Sequence, residues 1–175
     1  MDTIETIRTR RSIRKFLDQK VPDEIVHEIL EDGRSAPSAG NLQARDFIVV
    51  RDVDRKATIA RSAHDQHFID DADVLIVVCA NSQKSAPYGE RGTELYCIQD
   101  ADASVMTMLL SIHTRGLASS WVGAFNEVAL KQILNIPAHV RPVAILPIGY
   151  PAKDLGRANG TRRLHLDALL HYEEW

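Results

Sequence analysis

The spacing of apolar positions changes several times along the chain, and each change marks an element. From Thr3 to Thr9, Ile4 and Ile7 share one face of a short helix that Asp2 or Thr3 can cap. Pro22 to Arg34 predicts a second helix. It has proline in the first turn, Asp23 and Glu24 beside the positive helix end, then Ile25, Val26, Ile29 and Leu30 on one side, with Gly33 as the expected stop. Ser35 to Gln43 is small and polar and reads as a loop. Phe47 to Arg51 predicts a strand and Asp54 to Ser62 a third helix. Val74 to Ala80 has no polar alternation, so the strand it predicts is buried on both faces. Asn81 to Gly92 reads as a surface loop.

Thr93 to Arg115 is the longest helical pattern. Leu95, Ile98, Val105, Met108, Leu109 and Ile112 recur at helical spacing, Ala101 and Ala103 keep its middle slim, and Gly116 ends it. Its apolar circumference predicts a central helix buried on several sides. Ser119 to Phe125 predicts a third strand. Asn126 caps a helix carrying Leu130, Ile133 and Leu134, and Val143 to Ile148 predicts a fourth strand with Pro147 near its end or on an edge. In the tail, Leu164, Leu166, Leu169 and Leu170 precede Tyr172 and Trp175, a pattern that predicts docking on another surface such as a second subunit. Helices outweigh four scattered strands, which gives an α/β or α+β fold in one domain, residues 1–175.

Composition narrows the class. A chain of 175 residues with 45% hydrophobic and 26% charged positions can bury an ordinary globular core. A net charge of -3 gives no global attraction to nucleic acid or anionic membrane. The apolar run Val74 to Ala80 is too short to span a bilayer, and Met1-Asp2-Thr3-Ile4-Glu5 does not read as a signal peptide, so a cytoplasmic location is expected. Cys79 and Cys97 lie inside apolar patterns without a C-x-x-C pair and read as buried reduced thiols.

Candidate chemistry concentrates in Arg10-Arg11-Ser12-Ile13-Arg14-Lys15-Phe16. Guanidinium forks and a hydroxyl suit phosphate oxygens, although a solvated basic turn has the same composition. Neither a G-x-G-x-x-G nor a G-x-x-x-x-G-K-[ST] occurs, so a phosphate would be held without a Rossmann turn or a P-loop. His64-Asp65-Gln66-His67 places two imidazoles at i, i+3, which could share a helix face, but exposed polar residues are the favoured reading and no metal is expected. Ser119 and Ser120 lack a nucleophile elbow, and Glu90, Asp100 and Asp102 do not pair for acid–base work. The basic stretch, the small-residue loop, the glycine-bearing Trp121-Val122-Gly123-Ala124-Phe125 and the late Arg162-Arg163 remain. Phosphate clamps at both chain ends and a bare backbone platform fit a phosphorylated planar cofactor.

These segments resemble the FMN-dependent nitroreductase family. The resemblance rests on Thr9 to Phe16, on Ala36-Pro37-Ser38-Ala39-Gly40-Asn41-Leu42-Gln43 as its P-S-x-x-N-x-Q loop, on Tyr88 to Gly92, on Gly116 to Phe125 and on Pro147 to Pro151, in the family's order. It implies an α+β fold with a central, mainly antiparallel sheet flanked by helices, in a homodimer built on the long helix 93–115 and embraced by the C-terminal tail. It further implies FMN at the subunit interface, NADH or NADPH as donor, and flat acceptors such as nitroaromatics or quinones that alternate with the donor on one flavin face. Arg10, Ser12 and Arg11 would hold the phosphate and ribityl chain, with Arg163 and Arg162 clamping from the far end of the sequence. Arg14 would approach the pyrimidine edge, where fixed positive charge stabilises the charge that reduction adds. Pro37, Ser38, Ala39 and Asn41 would reach the partner subunit's flavin, and Gly123 and Ala124 would lie beside N5. Tyr88 is the candidate lid residue. The same residues would serve a family branch that dehalogenates or degrades flavin, or a non-catalytic flavin-binding protein. The chain departs from the family where Gln43-Ala44-Arg45 replaces the common Q-P-W, where Thr161 stands in place of a lysine, and where His165 replaces a proline.

Overall fold

A computed structural model of the chain describes residues 2–153 and 163–175. The elements run α1 (Thr3–Thr9), α2 (Asp23–Arg34), β1 (Arg45–Val50), α3 (Val53–Ser62), α4 (Phe68–Asp71), β2 (Val74–Asn81), α5 (Ser82–Ser85), α6 (Gly89–Arg91), α7 (Cys97–Thr114), β3 (Ala118–Ser119), α8 (Glu127–Leu134) and β4 (Val140–Gly149). The strands form one antiparallel sheet in the order β1-β2-β4-β3, an α+β arrangement.

The unbroken apolar run of β2 has a direct structural cause. Val74, Ile76, Val78 and Ala80 face a core shared with α2 and α7, while Leu75, Val77 and Cys79 face a second core shared with α3, α4 and α8. Alternate side chains of a strand point to opposite faces, so a strand covered on both sides needs apolar residues at every position. β4 does the same, with Ala144, Leu146 and Ile148 on one side and Ile145 on the other. Pro147 stands opposite Leu75, close to the strand's end at Gly149. Both thiols are buried. Burial, then the Asp46 carboxylate, pushes the Cys79 thiol up to about 12.

Local capping signals are met. Asp2 accepts from Glu5 N at 2.9 Å to start α1, and Asn126 accepts from Ala129 N at 2.9 Å to start α8. Gly33 is not the stop of α2. The helix continues to Arg34, and a Cβ on Gly33 would lie 2.6 Å from Met108 Cγ, so the missing side chain lets α2 and α7 approach.

Two other expectations change. Residues 81–92 are not an open loop but a series of short helical turns that leads through a π turn, Gly92–Tyr96, into α7. Asn81 caps the first of them by accepting from Lys84 N, and Ser85 Oγ donates to Gly92 O at 2.8 Å. The strand expected over 119–125 shrinks to Ala118–Ser119 and one isolated bridge between Val122 and Ile145. Toward its end the chain turns to the α3 side instead: Gln66 Nε2 donates to Ala124 O at 3.0 Å, and the following Asn126 N donates to Ser62 O at 2.8 Å.

Candidate functional site

The basic stretch starts where α1 ends and is stitched to the end of the sheet. Ile13 N donates to Ser119 O at 2.9 Å, Leu17 N to Tyr150 O at 2.8 Å, and Ala152 N to Lys15 O at 3.1 Å, while Phe16 bridges Pro151. Gly149 permits this approach, since a Cβ there would lie 3.0 Å from Phe16 Cδ1. Arg10 is half-buried. Burial, then the Arg163 guanidinium, then that of Arg11 lower its pKa from the ordinary arginine value. Among the described residues no carboxylate ion-pairs with Arg10, Arg11 or Arg163. Arg11 donates at 2.9 Å to the carbonyls of Arg8 and Arg10, at the C-terminal end of α1. Arg10 thus has two guanidiniums against it and no carboxylate partner among the described residues, an arrangement that suits an anion. Ser12 is exposed within the same stretch. On the adjoining strand end the Oγ atoms of Ser119 and Ser120 are buried without a hydrogen-bond partner among the described residues. Arg162 lies outside the described residues.

Arg14 and Ala124 both contact the segment 66–68. The Arg14 guanidinium stands 5.4 Å over the Phe68 ring. Two residues earlier, Gln66 Nε2 donates to Ala63 O at 2.7 Å and to Ala124 O at 3.0 Å. Gly123 and Ala124 are exposed, and a Cβ on Gly123 would meet only Trp121, 3.8 Å away. The two histidines do not share a helix face. His64 and Asp65 take left-handed backbone (φ 59 and 56) in the turn before α4. The aromatic Phe68 directly after a polar run was the one signal available for this segment.

The small-residue loop is held elsewhere. Asp100, in the first turn of α7, accepts from Ala39 N at 2.9 Å and Ala44 N at 3.1 Å. Gly40, Asn41 and Gln43 are left-handed (φ 54, 57 and 51), and Ser38 Oγ accepts from Gln43 N at 3.1 Å. Pro37 and Asn41 are exposed, and a Cβ on Gly40 would overlap the Tyr88 hydroxyl. Tyr88 therefore sits against this loop, edge-on to Tyr96 with ring centroids 5.4 Å apart. At the far end of α7, His113 Nε2 lies 2.9 Å from Thr9 Oγ1, beside the basic stretch. Asp100 and His113 are thirteen positions apart on one helix, about 20 Å at 1.5 Å per residue. One chain thus carries the Arg10 cluster and the Pro37–Asn41 loop at opposite ends of α7.

The nitroreductase family model matches residues 7–68 and 60–150. The chain belongs to the nitroreductase family. A relative in Methanothermobacter thermautotrophicus, with the provisional name NADH dehydrogenase/NAD(P)H nitroreductase, is 34% identical over 179 residues and covers 100% of this chain and 88% of its own length. The FMN reductase [NAD(P)H] of Bacillus subtilis is 30% identical over 188 residues, covering 99% of this chain and 74% of its own. The structure of Bacillus megaterium NfrA2 superposes with a TM-score of 0.90 at 27% identity, over 100% of this chain and 76% of that one. At 26% identity, an iodotyrosine deiodinase of Haliscomenobacter hydrossis covers 82% of this chain and 77% of its own length. The nitroreductase fold accounts for the antiparallel sheet between helices.

Proposed function

We propose that this nitroreductase-family chain is an FMN-dependent NAD(P)H oxidoreductase, working as a homodimer and reducing nitroaromatics, quinones or similarly flat acceptors. The observation that carries the reading is the gathering of Arg11 and Arg163 about half-buried Arg10 without a carboxylate counter-ion among the described residues. Such a cradle fits a phosphate. When bound, FMN supplies the hydride chemistry, taking electrons from NAD(P)H and passing them to the acceptor.

The chain's own residues bind and orient. Arg10 and Arg163, with Ser12, Arg11 and Arg162, hold the phosphate end. Arg14, fixed over Phe68, keeps positive charge where the reduced ring gathers negative charge. Gly123 and Ala124 offer backbone without bulk, and Gln66 fixes their position. Pro37, Ser38, Ala39 and Asn41 reach the second copy's cofactor. The separation of about 20 Å along α7 supports this division, because two copies with α7 antiparallel bring each loop to the other's arginines. The exposed apolar groups Ile4, Ile7, Met106, Leu164, Leu166 and Leu169 support a covering partner.

The test is the visible absorption spectrum of the purified protein before and after anaerobic NADH or NADPH. A flavin spectrum that bleaches is expected. Protein without flavin that also fails to take up added FMN would refute the reading. A specialised dehalogenase is the second reading, favoured by the deiodinase relative. It predicts that reduced protein releases iodide from iodotyrosine faster than it reduces a nitroaromatic. A flavin that neither nucleotide bleaches would point to storage.

A further inference from the structure

Arg45 and Asp100 are 5% and 4% exposed, the most enclosed charged residues described, and neither spends its hydrogen bonds on the other's side chain. Arg45 Nη1 donates to Pro37 O at 3.1 Å and to the backbone oxygen of Asp100 at 3.2 Å. Its Nη2 donates to Arg34 O at 2.7 Å and Ala36 O at 2.6 Å. The Asp100 carboxylate takes Ala39 N and Ala44 N. Five residues between 34 and 44 are thereby tied from one side by a cation and from the other by an anion. We propose that Arg45 and Asp100 form a clamp that fixes the Pro37–Asn41 loop for the flavin site of the second copy, which makes Arg45 a positioning residue acting in trans. The inference rests on the function proposed above.

The segment runs from the end of α2 at Arg34 to the start of β1 at Arg45 without ladder pairing, so its buried carbonyls and amides need other partners. A guanidinium fork can serve four carbonyls at once, whereas an ammonium group has three donors on a single point. Buried charges are seldom the most stable filling for a core, and their best-attested use is to select one geometry. Here the selected geometry belongs to a loop whose outer residues Pro37, Gly40 and Asn41 are exposed on their own chain. Asp100 anchors the loop to α7, the helix whose other end meets the basic stretch.

Arg45→Lys keeps the charge and Asp100→Asn keeps the volume and one acceptor oxygen, so both variants are expected to fold, with circular dichroism as the check. FMN and riboflavin are titrated into apoprotein by flavin fluorescence. Arg45→Lys should weaken both ligands about tenfold and leave their ratio within about twofold of wild type. Arg10→Ala should instead collapse the ratio, because only FMN carries the phosphate. Heterodimers with Arg10→Ala in one subunit and Arg45→Lys in the other, isolated through two different tags, should regain one site per dimer of wild-type affinity. Unchanged FMN affinity in folded Arg45→Lys and Asp100→Asn would overturn the clamp, and heterodimers without any wild-type site would overturn its action in trans. Unchanged FMN affinity in Arg10→Ala would instead overturn the function on which the inference rests.

Discussion

Replacing Arg10 with alanine should have opposite effects on cofactor binding and on the empty protein. Arg10 is half-buried, with Arg163 and Arg11 as like-charged neighbours and no carboxylate partner among the described residues. Its backbone N–H caps α1 on Thr6 O at 3.0 Å, a bond alanine retains. Binding of a phosphate gains a charge-assisted hydrogen bond from this guanidinium, worth about 1.5–3 kcal/mol. FMN affinity should therefore fall about 10- to 150-fold. Apoprotein loses only a partly desolvated charge under repulsion, and because the half-buried side chain is still screened by solvent the gain stays under about 0.5 kcal/mol. At this chain length that raises the apo midpoint by about 1–2 °C. Fluorescence titration with FMN and differential scanning calorimetry of apoprotein read the two arms. An FMN affinity within about twofold of wild type, or an apo midpoint lowered by several degrees, would show that Arg10 is a structural residue and not a phosphate ligand.

Gly33→Val should destabilise by about 1–3 kcal/mol, since the new side chain enters space held by Met108 Cγ at 2.6 Å; a denaturation midpoint equal to wild type would contradict the packing. Asn126→Ala removes the bond to Ala129 N and should cost about 1 kcal/mol in the same assay. Burial raises the Cys79 thiol to about 12 from a reference of 9.0, so the unfolded chain releases this proton first. Stability should fall as pH rises above about 9, and a Cys79→Ala variant should lose that part of the alkaline decline. Burial, then Arg10 and Arg11, depress the His113 pKa below 6.5, with Glu5 opposing. The unfolded chain then binds this proton more readily than the folded one, so apoprotein should lose stability as pH drops below about 6.5. Arg10→Ala should soften that loss, and an identical acid profile in calorimetry would contradict the coupling.

What the sequence made legible was whatever is settled within a few residues. Asp2 and Asn126 announce their helices because a cap bonds three positions ahead. The double burial of β2 shows in seven consecutive apolar residues from Val74 to Ala80, and Arg10, Arg11 and Arg14 stand out because they crowd into one short stretch. Gly33 misled because its cause, Met108, lies on another helix; in sequence a glycine that admits a neighbour looks the same as one that ends a helix. The strand at 119–125 was overdrawn because Gln66, far away in sequence, takes the Ala124 carbonyl out of any ladder. Arg45 shows the limit most sharply. Its local surroundings read as a loop meeting a strand, where an arginine is ordinarily solvated, and only the carbonyls of Arg34, Ala36, Pro37 and Asp100 around its fork explain why it is buried. The same reasoning applies to the site as a whole: motifs adjacent in function need not be adjacent in the chain that carries them. Helix α7 holds the arginine cluster and the small-residue loop apart in one chain, so in the proposed homodimer the complete site would belong to two copies and not to one.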